Sequence, residues 1–80
     1  MQIVLVKLHA RSKQAVHFQE ILTKHGCDIA MRLGLHEFAN PQCSDEGVIL
    51  LQLKEDSKAV SGLEEDLLAM GNITVKSVSM

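Results

Sequence analysis

Two stretches of the chain, "QIVLVKLH" at 2–9 and "VILLQLK" at 48–54, are apolar on both alternating parities, and each runs into a helical pattern. That order constrains the fold more than any other feature. A strand that is apolar on both sides belongs where both of its faces are covered or flanked, at the centre of a sheet. After the first run, Ala15, Phe18 and Leu22, with Ile21 adjacent, recur at helical spacing. The helix is expected to start at a cap on Arg11 or Ser12 and to stop at His25-Gly26, glycine being the usual residue past a helix C-terminus. After the second run, Val60, Leu63, Leu67 and Met70 form the stripe of another helix, with Asp56 or Ser57 as N-cap and Gly71 as terminator.

Between the helices lies a strict alternation. Ile29, Met31, Leu33 and Leu35 fall on one side; Asp28, Ala30, Arg32, Gly34 and His36 fall on the other. This is the pattern of a half-buried strand of period two. A polar segment, "EFANPQCSDEG", carries the only proline and reads as the loop to the next strand, and "NITVKSVSM" ends the chain as a fourth strand. Strand, helix, strand, strand, helix, strand is the order of the ferredoxin-like βαββαβ sandwich, an α+β fold with a four-stranded antiparallel sheet and two helices on one face. Residues 1–80 make one such domain. The first and third strands take the sheet centre in that topology, and they are the two that are apolar on both parities.

Helices on one face leave the other face bare. If Ile29, Met31, Leu33 and Leu35 point to the helices, then Ala30, Arg32, Gly34 and His36 point away. Ile3, Leu5, Lys7 and His9 join them there, with Val48, Leu50, Gln52 and Lys54, and with Thr74, Lys76 and Val78. The result is a contiguous apolar patch, which predicts self-association into a homo-oligomer, a dimer or a tetramer. Arg32, Gly34 and His36, beside Leu5 and Leu50, are the candidate ligand or interface residues. Arg32 can pair a carboxylate of Glu37, of Asp45, of a ligand or of a second subunit. Gly34 marks a bulge or a close approach of another backbone.

Composition narrows the function classes. Of the 80 residues only Phe18 and Phe38 are aromatic, so the core is aliphatic. A formal charge of −2 offers no drive toward nucleic acid, and the central strands lack the aromatic residues on which RNA-recognition motifs stack bases. The opening residues are too soon interrupted for a signal peptide or a membrane span. With two cysteines and no export signal, free thiols and a cytoplasmic location are expected. The loop "HARSKQ" lacks the glycines of an acylphosphatase anion loop and the Cys-x-x-Cys of copper chaperones. In "HGC", a thiol that follows a helix C-terminus meets a dipole that opposes thiolate, so His25 and Cys27 make a poor catalytic pair. Glu64, Glu65 and Asp66 read as the solvated face of the second helix. The alternative to a regulatory domain is a nickel- or zinc-binding sensor or carrier, for which His36, Cys43 and His9 are the candidate ligands.

The stretch "IAMRLGLHE", a loop, and then "GVILLQLKEDSKAVSGLEEDLLAMGNITVKSVSM" resembles the small ACT-like proteins called iron-only hydrogenase system regulators. The matching features are Arg32-x-Gly34 in the second strand, Ser61-Gly62-Leu63 in the second helix, and the ending "ITVKSV". Those proteins are in turn similar to the C-terminal regulatory domain of nickel-responsive repressors. The resemblance implies an ACT-like fold, a regulatory role and no catalytic residues. Two features depart from the related patterns. The amino-acid-binding ACT domains carry a glycine between first strand and first helix, where this chain has "HARS". The nickel-responsive domains carry His-x-His followed closely by a cysteine, where this chain has a single His36 with Cys43 seven residues on. The expected protein is thus a non-enzymatic ACT-like regulatory domain that self-associates through its sheet and takes a small ligand at the subunit interface, without nucleic acid or membrane as direct partner.

Overall fold

A computed structural model describes residues 1–36 and 45–80, and of Leu35 and His36 the backbone alone. The elements are β1 (Gln2–Leu8), α1 (Arg11–Lys24), a short 3-10 turn (Gly26–Asp28), β2 (Ile29–His36), β3 (Gly47–Leu53), α2 (Ser57–Met70) and β4 (Ile73–Ser79). The sheet order is β2-β3-β1-β4, with each neighbouring pair antiparallel. The chain therefore has the expected α+β, ferredoxin-like and ACT-like architecture. The two-sided apolar runs are the central strands, and the alternating ones are the edges.

Val4, Val6 and Leu8 of β1 and Ile49, Leu51 and Leu53 of β3 point into one aliphatic core with Phe18, Ile21 and Leu22 of α1 and Ala59, Val60, Leu63 and Leu67 of α2. Leu51, Leu63 and Leu67 are completely shielded from solvent. Burying a leucine this fully contributes about 1.5–3 kcal/mol. The expected stripe on α2 holds, with Met70 packed at the margin of the core. On α1 the stripe is shorter than expected. Ala15 is exposed and Phe18 is the first buried residue of the helix.

The helix ends show how the pieces lock. Asp56 accepts a hydrogen bond from the Lys58 amide at 2.9 Å, the N-cap anticipated for α2. Gly71 closes that helix at φ 75° and ψ 162°, a region that is essentially glycine-only. The start of α1 differs from expectation. Its N-cap is Ala10, whose side chain cannot accept a bond. The orphan amides are satisfied from 33 residues away: the Asp45 carboxylate takes the Ser12 amide at 3.1 Å and the Ser12 hydroxyl at 2.6 Å. The Asp45 carbonyl accepts the Arg11 amide at 2.7 Å. An anionic cap at a helix N-terminus is favoured by both the free N–H groups and the dipole. The hydrogen bond from Ser12 is the main reason that the Asp45 carboxyl is held below its ordinary range, with Arg11 and Lys13 adding to it.

Candidate functional site

The second strand carries the main correction to the sequence reading. Ile29 pairs with Leu53 and Met31 with Gln52, so Ala30 is an extra residue and the ladder bulges there. The Met31, Arg32 and Leu33 side chains sit on the face opposite to that expected. Directly paired residues of an antiparallel ladder share a face. Arg32 pairs with the fully buried Leu51, and Leu33 pairs with Leu50 on the outer face. Arg32 thus belongs to the helix side, and its Nη1 donates to Gln19 Oε1 of α1 at 2.9 Å. Gly34 pairs with Ile49, also on the helix side, and space around it is open. It is not the bulge, which lies at Ala30. His36 takes the register position opposite Gly47, but its side chain lies outside the described residues, as do Glu37 and Cys43.

The bulge has a cause nearby. The Lys54 amide donates to the Asp28 carbonyl at 3.0 Å, and the Lys54 ammonium meets the Asp28 carboxylate at 2.8 Å. That hydrogen bond, with the attraction behind it, raises the Lys54 pKa. The clamp fixes the end of the 3-10 turn against the end of β3 and sets Ile29 toward the core. Met31 and Leu33, meanwhile, gain apolar neighbours only on the outer face. One extra residue reconciles the two demands.

The outer face is accordingly more apolar than anticipated. Leu33, Leu50 and Leu5 form one row across β2, β3 and β1, continued by Lys76 of β4. Met31, Gln52, Ile3 and Val78 form the next. Leu33 is 50% exposed, Met31 48% and Val78 43%. Leu5 and Val48, with Lys7, Thr74 and Lys76, outline a shallow hollow of ≈ 200 Å³. For β1, β3 and β4 the outward set is the one expected from parity. Leu5 and Leu50 remain candidates for an interface, joined by Met31 and Leu33, while Arg32 and Gly34 leave that surface.

At one end of this face the His9 ring lies between two partners. Its Nδ1 is 3.0 Å from Glu46 Oε2 and its Nε2 is 2.8 Å from Thr74 Oγ1. A carboxylate accepts only, so Nδ1 carries the proton toward Glu46. That bond is the first cause of the lowered Glu46 pKa, with Lys7 at 3.5 Å behind it. Both ring nitrogens of this candidate metal ligand are thus committed within the protein. Among the described residues, no group of three or more His, Cys, Asp or Glu side chains could hold a metal ion. Cys27 is a free, exposed thiol. His25, two residues before it, turns to the other helix instead: its Nε2 donates to Asp66 Oδ2 at 2.6 Å, and Lys24 reaches the same oxygen at 3.0 Å. Asp66 therefore joins the helices and is not merely part of a solvated face. His25 and then Lys24 hold its carboxyl below the usual range.

On the helix side, the inward turn of Arg32 creates a groove the sequence did not reveal. It runs between the C-terminal half of α1 and the start of β2, has a volume of ≈ 290 Å³, and is lined by Leu22 and Ile29 with Gln19, Thr23, Ala30 and Arg32. The Arg32 guanidinium has no carboxylate partner among the described residues. The only sequence signal for the groove was Arg32 itself, an arginine within an otherwise apolar strand.

No family model matches the chain, and no curated protein matches it. Solved structures do. An uncharacterized protein of Thermotoga maritima, TM1266, superposes with a TM-score of 0.81 at 25% identity, over 96% of this chain and 91% of that one. A prephenate dehydratase from Streptococcus mutans superposes at 0.63 and 17% identity, over 95% of this chain and 40% of that one. CPII, a nitrogen regulatory PII-like protein from Thiomonas intermedia K12 bound to ADP, AMP and bicarbonate, superposes at 0.63 and 11% identity, over 99% of this chain and 88% of that one. The chain is thus similar in fold, over nearly its whole length, to ACT-like and PII-like domains.

Proposed function

We propose that this protein is a non-enzymatic ACT-like regulatory domain of the cytoplasm that self-associates through the outer face of its sheet and responds to a small ligand. The observation that carries the first part is the apolar surface of Met31, Leu33, Leu50, Leu5, Ile3 and Val78, interrupted only by Gln52 and bordered by Lys76 among the described residues. A patch of this kind on a small domain marks an interaction site. A second copy is the occupant that fits it. The face also carries Lys76 and, at one end, Lys7 and His9 with Glu46, and a two-fold axis through Leu5, Leu50 and Leu33 would set aliphatic rows against aliphatic rows between these charges. Stacked sheets pack about 10 Å apart, close enough for leucines from both faces to interdigitate.

A small-ligand role draws support from the nucleotide-bound PII-like neighbour, and the regulatory role from its description. Within this reading the chain belongs beside the iron-only hydrogenase system regulators that its "IAMRLGLHE" and "ITVKSV" segments resemble. The metal-binding alternative rests on His36 and Cys43, with His9 already engaged by Glu46 and Thr74.

Size-exclusion chromatography with light scattering tests the association. The wild-type chain is expected to elute as a dimer or a larger closed oligomer. Leu33→Lys and Leu5→Lys are expected to elute as monomers with unchanged far-ultraviolet circular dichroism, since both positions are solvent-exposed in the single chain. A wild-type protein that is monomeric at high concentration refutes the reading.

A further inference from the structure

We propose that the groove between α1 and β2 is a binding site for a small monocarboxylate with a short branched aliphatic tail, held by Arg32. The inference rests on the reading of the chain as a small-ligand regulatory domain, and it places the ligand on the helix side of the sheet. Three observations converge there. The Arg32 guanidinium, a fork of five donors, uses Nη1 on the neutral Gln19 amide and meets no described carboxylate. An arginine in this state matches a carboxylate through two parallel hydrogen bonds. Next to it, Leu22 and Ile29 supply an aliphatic wall, and the groove volume of ≈ 290 Å³ suits a molecule of a few carbons. Finally, the bulge removes Ala30 from the ladder, on an edge strand whose outer backbone groups have no neighbouring strand. Ala30 itself is among the residues that line the groove.

The chemistry also says what the site does not take. Among the described residues Arg32 is the one cationic side chain in the lining, and Gln19 and Thr23 are neutral. A polyphosphate or a dicarboxylate would leave charge unmatched. Because Gln19 presents its Oε1 to Arg32, its Nε2 is a donor for the second face of a bound carboxylate. The Thr23 hydroxyl donates to the Gln19 carbonyl at 2.9 Å, which leaves its oxygen as an acceptor for an α-hydroxyl or α-amino substituent.

Titration of the ¹⁵N-labelled full chain with isovalerate, followed by amide chemical shifts, tests the site, with isovaleramide as the uncharged isostere. Isovalerate is expected to give saturable shifts at Gln19, Thr23, Gly26 and Ala30 through Arg32, with a dissociation constant on the order of 1 mM. Arg32→Gln, an exposed change that preserves fold and length, is expected to weaken binding roughly 10- to 100-fold. Isovaleramide is expected to leave these amides unmoved. Equal shifts from the amide, unchanged binding by Arg32→Gln, or no shift of these amides at about 50 mM isovalerate each overturns the proposal. Light scattering on the same samples keeps it separate from the sheet-face association. An intact oligomer with a silent groove refutes only the carboxylate site, and a monomer that binds isovalerate there refutes only the association.

Discussion

At the scale of the residue, three carboxylates do work that composition alone would assign to the surface. Asp45 caps α1, Glu46 holds His9, and Asp66 joins the two helices. All three are held below their ordinary pKa values, each chiefly by a hydrogen bond from Ser12, His9 or His25 respectively. A carboxylate whose folded pKa is depressed stabilises the fold fully above its unfolded pKa, near 3.9 for Asp and 4.3 for Glu. That contribution is lost as pH falls through the lower, folded value. The urea midpoint should therefore hold steady from about pH 7 to pH 5 and fall below about pH 4. Asp66→Asn should be less stable at neutral pH and show a shallower fall in acid, which urea titrations at successive pH values will measure. An unchanged acid slope in this variant would show that the His25 pairing carries no linkage. None of this was legible in the sequence, because each partner lies 33 to 41 residues away. The sequence offered only local cues, and it was right where capping is local, at Asp56 and Gly71.

At the scale of the element, periodicity identified every strand and helix, and the two-sided character of β1 and β3 placed them at the centre. What it could not reveal was the hand of β2. Ile29, Met31, Leu33 and Leu35 alternate so regularly that no bulge is needed to explain them, yet the alternation crosses the sheet at Ala30. A one-residue slip exchanges the two faces of a strand, so a single extra residue inverts the assignment of all that follow. The better guide was the neighbour: Leu50 on the outer face called for an apolar partner on β2, and Leu33 supplies it. Polar Arg32 is tolerated on the helix side because it is solvent-exposed on an edge strand, where it meets the side-chain amide of Gln19 on α1. Deleting Ala30 should then close the bulge and preserve the ladder, since Leu53 and Gln52 already follow one another opposite Ile29 and Met31. The variant is expected to melt within about 4 °C of wild type, a change below about 1 kcal/mol for a domain of this length. Cross-strand nuclear Overhauser effects between Met31 and Gln52 should persist. Their loss would mean that the strand has no fixed preference for this register.

At the scale of the whole molecule, the sheet has one side committed to a core of 13 buried apolar residues and one side that no described helix covers, both counted among the described residues. A chain of 80 residues buries about 60–65% of its unfolded surface, which leaves a small stability margin. Under the proposed self-association, assembly is part of the folding equilibrium. The melting temperature should rise with protein concentration, because dilution favours the monomer and the monomer is the weaker fold. Scanning calorimetry over a hundredfold range of concentration will show this for the wild type and not for Leu33→Lys. A concentration-independent midpoint in the wild type would place the full stability of the fold in the single chain. No helix among the described residues is long and apolar enough to cross a membrane.

The two rims of the sheet are not alike, and the difference governs how large an assembly can become. Strand β4 is regular from Ile73 to Ser79, whereas β2 is broken at Ala30. A regular edge can template another strand, while a bulged one resists it. Growth by strand addition needs two receptive edges, one to accept and one to offer. With only one, chains that add edge to edge are expected to join β4 to β4 and stop at the pair, since both remaining edges are the interrupted kind. The extra residue at Ala30 would then act as a terminator.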